Sequence, residues 1–147
     1  KLNYIKILTN SISGNIFLCI IIWLLGFSVI GLPIILFMYF SKVFSIGFTF
    51  ASLIINYKIK GLLFSIFYLI PYGLLIILAF TLLMNYAVNL SIKLFSNIIK
   101  KNSLNFKKII SKYLIIILIV NIIIIIASLF ESFFIPFIFK IITLIWK

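Results

Sequence analysis

The residues that could carry out acid–base, nucleophilic or metal chemistry are almost missing from this sequence. It contains one acid, Glu131, and one cysteine, Cys19, with no His or Asp. Catalysis requires titratable groups or a metal in a shaped site. A carboxylate pair, a Ser/His/Asp set or a Cys/His set cannot be built from this inventory. The six glycines form no phosphate-binding loop. The sequence therefore predicts a protein that is not an enzyme and has no cofactor or metal site.

Two charges interrupt apolar runs and are the remaining candidates for a functional role. Lys42 and Glu131 each lie well inside a predicted membrane span. Charges within a membrane often mark transport routes or pair with each other. We expect either an ion pair between the two helices that carry them, or two side chains that extend separately to opposite headgroup regions.

The composition places the elements around these residues in a lipid bilayer. The chain has 147 residues, of which 66% are apolar and 10% are charged. Too little polar surface is available to cover a core in water. A net charge of +12 could indicate nucleic acid as a partner, but the lysines stand between apolar runs and mark topology instead. The fold class is an all-α integral membrane protein, with the lipid bilayer as its partner and no nucleic acid.

The uncharged stretches predict a polytopic bundle of about four transmembrane helices within one domain, residues 1–147. A span requires about 20 apolar residues. The predicted spans are 15–30, 33–57, 64–92 and 113–139, with a basic segment at 93–112.

Glycine and proline locate the breaks within these stretches. Gly31 suits the position after a helix end and Pro33 the first turn of the next helix, so the chain is divided there. A break at Ser41-Lys42 is the alternative. Pro71 and Gly73 interrupt a stretch that is too long for one straight span, which predicts either a kinked helix or a half-helix followed by a full span.

The basic segment sets the orientation of the chain. It holds six of the 13 lysines, and the positive-inside rule places it in the cytoplasm. It is either an interfacial helix on anionic headgroups or an ordinary basic loop. With four spans, both chain ends then lie on the outer side. Tyr57, Tyr113 and Trp146 fall near the predicted interfaces, where aromatic belts occur.

Small residues indicate where helices approach closely. Gly47 and Ala51 are four residues apart on the second span, Ser41 and Ser45 precede them at the same spacing, and Ser128 and Ser132 repeat it on the last span. Gly26, near the first break, belongs to the same packing set. Such seams pack either this chain's own helices or a partner helix.

Three segments resemble the stage II sporulation protein M family of membrane proteins (DUF95). They are WLLGFSVIGLPIIL at Trp23–Leu36, FSKVFSIGFT at Phe40–Thr49, and LIPYG at Leu69–Gly73 followed by Ala79. The resemblance covers roughly residues 1–139, and the first two segments are the more specific. Tyr72 and Ile76 stand where the broader family often carries a polar pair. The family usually has about five spans, so we expect that a first span is missing from this sequence.

The resemblance implies a role in endospore formation. It implies a non-enzymatic scaffold in the mother-cell or septal membrane during engulfment, which holds two peptidoglycan-degrading partners, stage II sporulation proteins D and P. A small channel or transporter subunit is the alternative, because Lys42, Glu131 and the break at Pro71 could form a pathway. A self-protection protein against a membrane-active peptide also fits the size.

Overall fold

Four long helices make up the described part of the chain. The computed structural model describes residues 4–100 and 106–145. The helices are α1 (Tyr4–Leu25), α2 (Gly31–Phe64), α3 (Ile70–Lys100) and α4 (Phe106–Ile145), with a five-residue π-helical turn, Ser65–Leu69, between α2 and α3. All four helices are long and apolar enough to cross a membrane, and the described residues include no strand. The predicted fold class, an all-α membrane bundle, is confirmed.

The first helix begins and ends earlier than predicted. It covers Tyr4–Leu25 instead of 15–30, and a short turn at residues 26–30 leads into α2. Hydroxyl groups at the polar start of α1 find their partners within the helix, on its own carbonyls. The Thr9 hydroxyl, for example, donates to the Ile5 carbonyl at 2.9 Å. The prediction treated these polar residues as lying outside the helix.

The break between the first two spans lies where glycine and proline predict it, but Gly31 has another role. Gly31 is the first residue of α2, and no described glycine has a positive φ. A Cβ on Gly31 would clash with the Leu25 carbonyl, so the tight turn requires the missing side chain. Pro33 lies in the first turn of α2, where its missing N–H costs nothing. The alternative break at Ser41-Lys42 is wrong, because α2 continues through it.

The chain reverses direction within α2 at Lys58. Its backbone is non-helical (φ 51°, ψ −127°). Residues before and after it approach each other in reverse order along the chain, which indicates an antiparallel pair. The Tyr39 and Thr81 hydroxyls lie 2.9 Å apart, and an ideal Cβ on Gly61 would overlap the Leu53 carbonyl. The predicted span 33–57 therefore ends at a real turn, and the next span begins directly after it rather than at 64.

Pro71 modifies the third span without ending it. The helical backbone passes from the π-helical turn into α3, and the Ile70 N–H reaches back five residues to the Ser65 carbonyl. This wider turn accommodates a proline that has no N–H to donate. The kinked-helix interpretation therefore holds, and the half-helix interpretation is wrong. Gly73 lies inside α3 and is buried against α2, where its ideal Cβ would lie 3.0 Å from Ile46 Cγ2.

The basic segment is neither a separate interfacial helix nor a loop in its described part. Residues 93–100 form the end of α3, and α4 begins at Phe106. The last predicted span, 113–139, lies wholly inside α4, which is longer at both ends.

The core lies between α3 and α4, and α1 packs against both. Buried residues recur on α3 at helical spacing, from Ile76 through Phe80 and Leu83 to Ala87. Tyr113 begins the matching series on α4 and is buried, so it is not the interfacial residue that the sequence predicts. Tyr57 is exposed, and Trp146 lies outside the described residues.

Candidate functional site

A polar cavity lies among the helices in the half of the bundle away from the 26–30 turn. It has a volume of about 480 Å³, and all four helices contribute to its lining. Gly14 and Leu18 complete a lining whose polar members are Asn10, Ser11, Asn15, Lys42, Tyr72 and Glu131. Ser11 lies 14 residues before the end of α1, which places it roughly 21 Å from the turn at ~1.5 Å per residue. Polar groups at such depth are expensive in a bilayer and mark functional sites by default.

Hydrogen bonds join three helices around Glu131. The Ser11 hydroxyl of α1 donates to Glu131 Oε2 of α4. The Ser11 and Ser128 hydroxyl oxygens lie 3.2 Å apart, and the Tyr72 hydroxyl of α3 also bonds to the Glu131 carboxylate. The only acid of the chain is therefore held inside the bundle, not extended to the outer headgroups.

Lys42 points into the bundle from α2. Its Nζ lies 5.9 Å from the centre of the Phe80 ring, which is buried in the core. Lys42 lines the same cavity as Glu131, whose charge has the opposite sign. A lysine that extended to the inner headgroups would not lie over this ring, so that alternative is wrong for Lys42. The two intramembrane charges, 89 positions apart in the sequence, are brought to one cavity.

Asn15 leaves one polar atom of the cavity wall without a partner. Its side chain is only 3% exposed. Nδ2 donates to the Tyr72 hydroxyl at 3.4 Å, whereas Oδ1 has no hydrogen-bond partner in the described chain. An unpaired buried acceptor costs free energy, so this position favours a donor from outside the chain.

Sequence reasoning missed most of the cavity wall. The sequence predicts a first span of 15–30, so Asn10 and Ser11 precede it and Asn15 lies at its edge. The sequence sets Tyr72 apart only because it stands where the family often carries a polar residue, and no role in a site is predicted for it. The polar spacing of Asn10, Ser11 and Asn15 within one continuous helix is the signal that could have found them.

The small-residue seams separate into internal and external ones. Ser128 and Ser132 are buried on α4, and Ser128 contacts α1. Gly47 and Ala51 are exposed on α2, and an ideal Cβ on Gly47 would meet no atom within 4 Å. The described helices of this chain therefore do not cover the seam on α2, contrary to its use in internal packing.

A second, wholly apolar groove runs beside Gly47 between α2 and α3. It has a volume of about 240 Å³. Its two walls repeat the same i, i+4, i+7 spacing, with Val43, Gly47 and Phe50 on α2 and Ile70, Leu74 and Ile77 on α3. Gly73, at the bottom of the groove, lets the two helices approach each other. Two parallel ridges with small residues between them suit the packing of another helix.

Gly26 allows close packing of α1, α3 and α4 at the end of the bundle that lies opposite the cavity. An ideal Cβ there would clash with the Tyr113 hydroxyl and lie 3.1 Å from Ala87 Cβ. The Tyr113 hydroxyl donates to the Trp23 carbonyl at 2.9 Å, and the two rings stack at 5.8 Å. Ser91 Oγ of α3 donates to the Ser28 carbonyl at 3.0 Å. These contacts join the turn to the ends of α3 and α4 next to the basic segment.

Comparison with known families gives one match. The family model of stage II sporulation protein M matches residues 2–136, which is nearly the whole chain. No curated protein and no solved structure matches the chain. The match and the four apolar helices together indicate a multi-pass membrane protein related to sporulation.

Proposed function

This chain belongs to the stage II sporulation protein M family, and on that premise we propose that it is a non-enzymatic membrane scaffold in engulfment. In this proposal it resides in the mother-cell or septal membrane. There it holds stage II sporulation proteins D and P, which degrade peptidoglycan, at the place where the membrane advances.

The scarcity of titratable side chains in this chain supports a scaffold role, in which the partner proteins carry out the cleavage. With one acid and no His or Asp in the sequence, the chain has few groups that could cleave a glycan or a peptide. The partners would supply that chemistry, and this protein would supply position within the membrane.

The groove between α2 and α3 is the observation that carries the proposal. The helix α2 is the least covered of the four. In the apolar stretch Gly31–Phe67 only 6% of the residues are buried, compared with 39% in the stretch Ile70–Asn97 of α3. Lipid tails are as apolar as the groove, so helix association in a membrane depends on close packing instead. The exposed Gly47 provides such packing for a transmembrane segment of a membrane-anchored partner.

The test is recovery of the partners from sporulating cells after crosslinking. Gly47→Leu fills the groove, and its Cβ would meet no atom of the protein within 4 Å. Phe48→Leu is the matched control, since Phe48 is exposed on the same helix but does not line the groove. We expect wild type and Phe48→Leu to recover both hydrolases and Gly47→Leu to recover neither. Equal recovery by all three proteins, or no hydrolase with wild type, would contradict the proposal.

A second candidate function, a channel or transporter subunit, is favoured by the polar cavity. Opposite charges and hydrogen-bonding groups within the membrane are typical of transport pathways. Substrate flux in proteoliposomes that contain only this protein, abolished by Glu131→Gln, would favour transport over the scaffold.

A further inference from the structure

The polar cavity has the charge pattern of a binding site for a dipolar ligand. Lys42 supplies a cation from α2, and Glu131 supplies an anion from α4. The sequence has no second acidic side chain, and in the described part of the chain Lys42 and Glu131 line the same cavity. A ligand with one charge of each sign can match both side chains and enter without a net change in charge.

The hydrogen-bonding groups on the Glu131 side specify the cationic end of the ligand. The Asn15 Oδ1 atom is a buried acceptor without a partner in the described chain. Asn15 lines the cavity together with Glu131 and Tyr72, whose side chains also carry acceptor oxygens. A primary ammonium has three N–H donors and can satisfy such acceptors together. A quaternary ammonium has no N–H and would leave Asn15 unpaired.

The cavity is open to its surroundings along α1. Asn10 and Gly14 are exposed, and an ideal Cβ on Gly14 would meet no atom within 4 Å. Asn10 lies six residues after the start of α1, so roughly 9 Å along the helix axis. This opening is therefore close to one membrane surface, within reach of the headgroup region.

We propose that the cavity binds a phosphoethanolamine zwitterion. The ammonium would lie between the Glu131 carboxylate and Asn15 Oδ1, and the phosphate would pair with Lys42. This ligand chemistry could come from the headgroup of phosphatidylethanolamine or from free phosphoethanolamine. The inference concerns the purified chain alone and does not depend on the scaffold function.

The test compares lipids that differ only at the amine. The full chain is purified from nanodiscs that contain equal amounts of phosphatidylethanolamine and phosphatidylcholine, and retained lipid is measured by native mass spectrometry. We expect about tenfold preference for phosphatidylethanolamine, the effect of one hydrogen bond to a buried acceptor. Competition by free phosphoethanolamine would show that the headgroup alone is recognised. Retention without competition would show that the lipid-attached form is required.

Variants connect the preference to the cavity. Asn15→Ala and Glu131→Gln should each remove it, whereas Asn85→Ala, at an exposed asparagine on α3, should not. Lys42→Arg should retain the ligand and Lys42→Met should lose it, and this pair decides the outcome if the α4 variant fails to fold. Equal retention of the two lipids by wild type, an unchanged preference in Asn15→Ala, or unchanged lipid retention in Lys42→Met would overturn the proposal.

Discussion

Replacement of Gly26 by alanine tests whether the bundle is organised by close contact at the turn between α1 and α2. Gly26 has no positive φ, so the backbone can accept alanine. Its methyl group, however, would overlap the Tyr113 hydroxyl, whose residue is buried and whose Oη donates to the Trp23 carbonyl at 2.9 Å. The phenol must therefore move, and this hydrogen bond is lost.

The expected cost follows from two opposing effects. Leaving a buried hydroxyl and carbonyl unpaired costs about 1–3 kcal/mol. Alanine restricts the unfolded chain more than glycine does, which stabilises the protein by about 0.4–1 kcal/mol. We therefore expect Gly26→Ala to lower the free energy of unfolding by about 1.3 kcal/mol, the midpoint of a range of about 0–2.6 kcal/mol.

Unfolding of the purified protein in mixed micelles, followed by circular dichroism, measures this change. Gly14→Ala is the matched control, because Gly14 lies inside α1 with open space around its ideal Cβ. We expect that control to be unchanged or stabilised by up to about 1 kcal/mol. A Gly26→Ala protein as stable as Gly14→Ala would refute the steric explanation.

A double-mutant cycle with Tyr113→Phe identifies the atom responsible. Tyr113→Phe removes the hydroxyl that the new methyl group would meet, so Gly26→Ala should cost less in that background. If the two effects simply add, the clash between Gly26 and the Tyr113 hydroxyl is not the cause of the destabilisation.

Two further predictions concern the intramembrane charges and the topology. Lys42→Met and Glu131→Gln should each destabilise the protein, and the double variant should cost less than their sum in unfolding measurements; strict additivity would exclude an ion pair. In a Cys19-free background, cysteine at Thr143 should react with an impermeant reagent in intact cells, whereas cysteine at Ser103 should not; reaction at Ser103 would reverse the orientation.

The helix boundaries that follow from backbone chemistry were largely predictable. Pro33 and Gly31 located the first turn, and the end of an uncharged stretch at residue 57 located the second. The exact role of Gly31 was not predictable, because a glycine next to a helix end suits either a positive φ or a close approach. Only the position of the Leu25 carbonyl distinguishes the two.

The candidate site was harder to predict because its members come from all four helices. Local pattern identified Lys42 and Glu131 as unusual, but it could not show that both point into one cavity. Local pattern also could not distinguish the seam at Gly47 from the seam at Ser128, because both show small residues four positions apart. Which seam is covered depends on how α1 packs against α4 and on how far α2 lies from the core, and neither is a local property of the sequence.

Site-specific photo-crosslinking from the groove tests the scaffold most directly. A photoreactive residue at Gly47 is compared in sporulating cells with one at Phe17, which is exposed on α1. The proposed scaffold function predicts that a photoreactive residue at Gly47 crosslinks to a transmembrane segment of stage II sporulation protein D or P, and that one at Phe17 does not. Crosslinks from Gly47 only to lipid or to a second copy of this chain would contradict it.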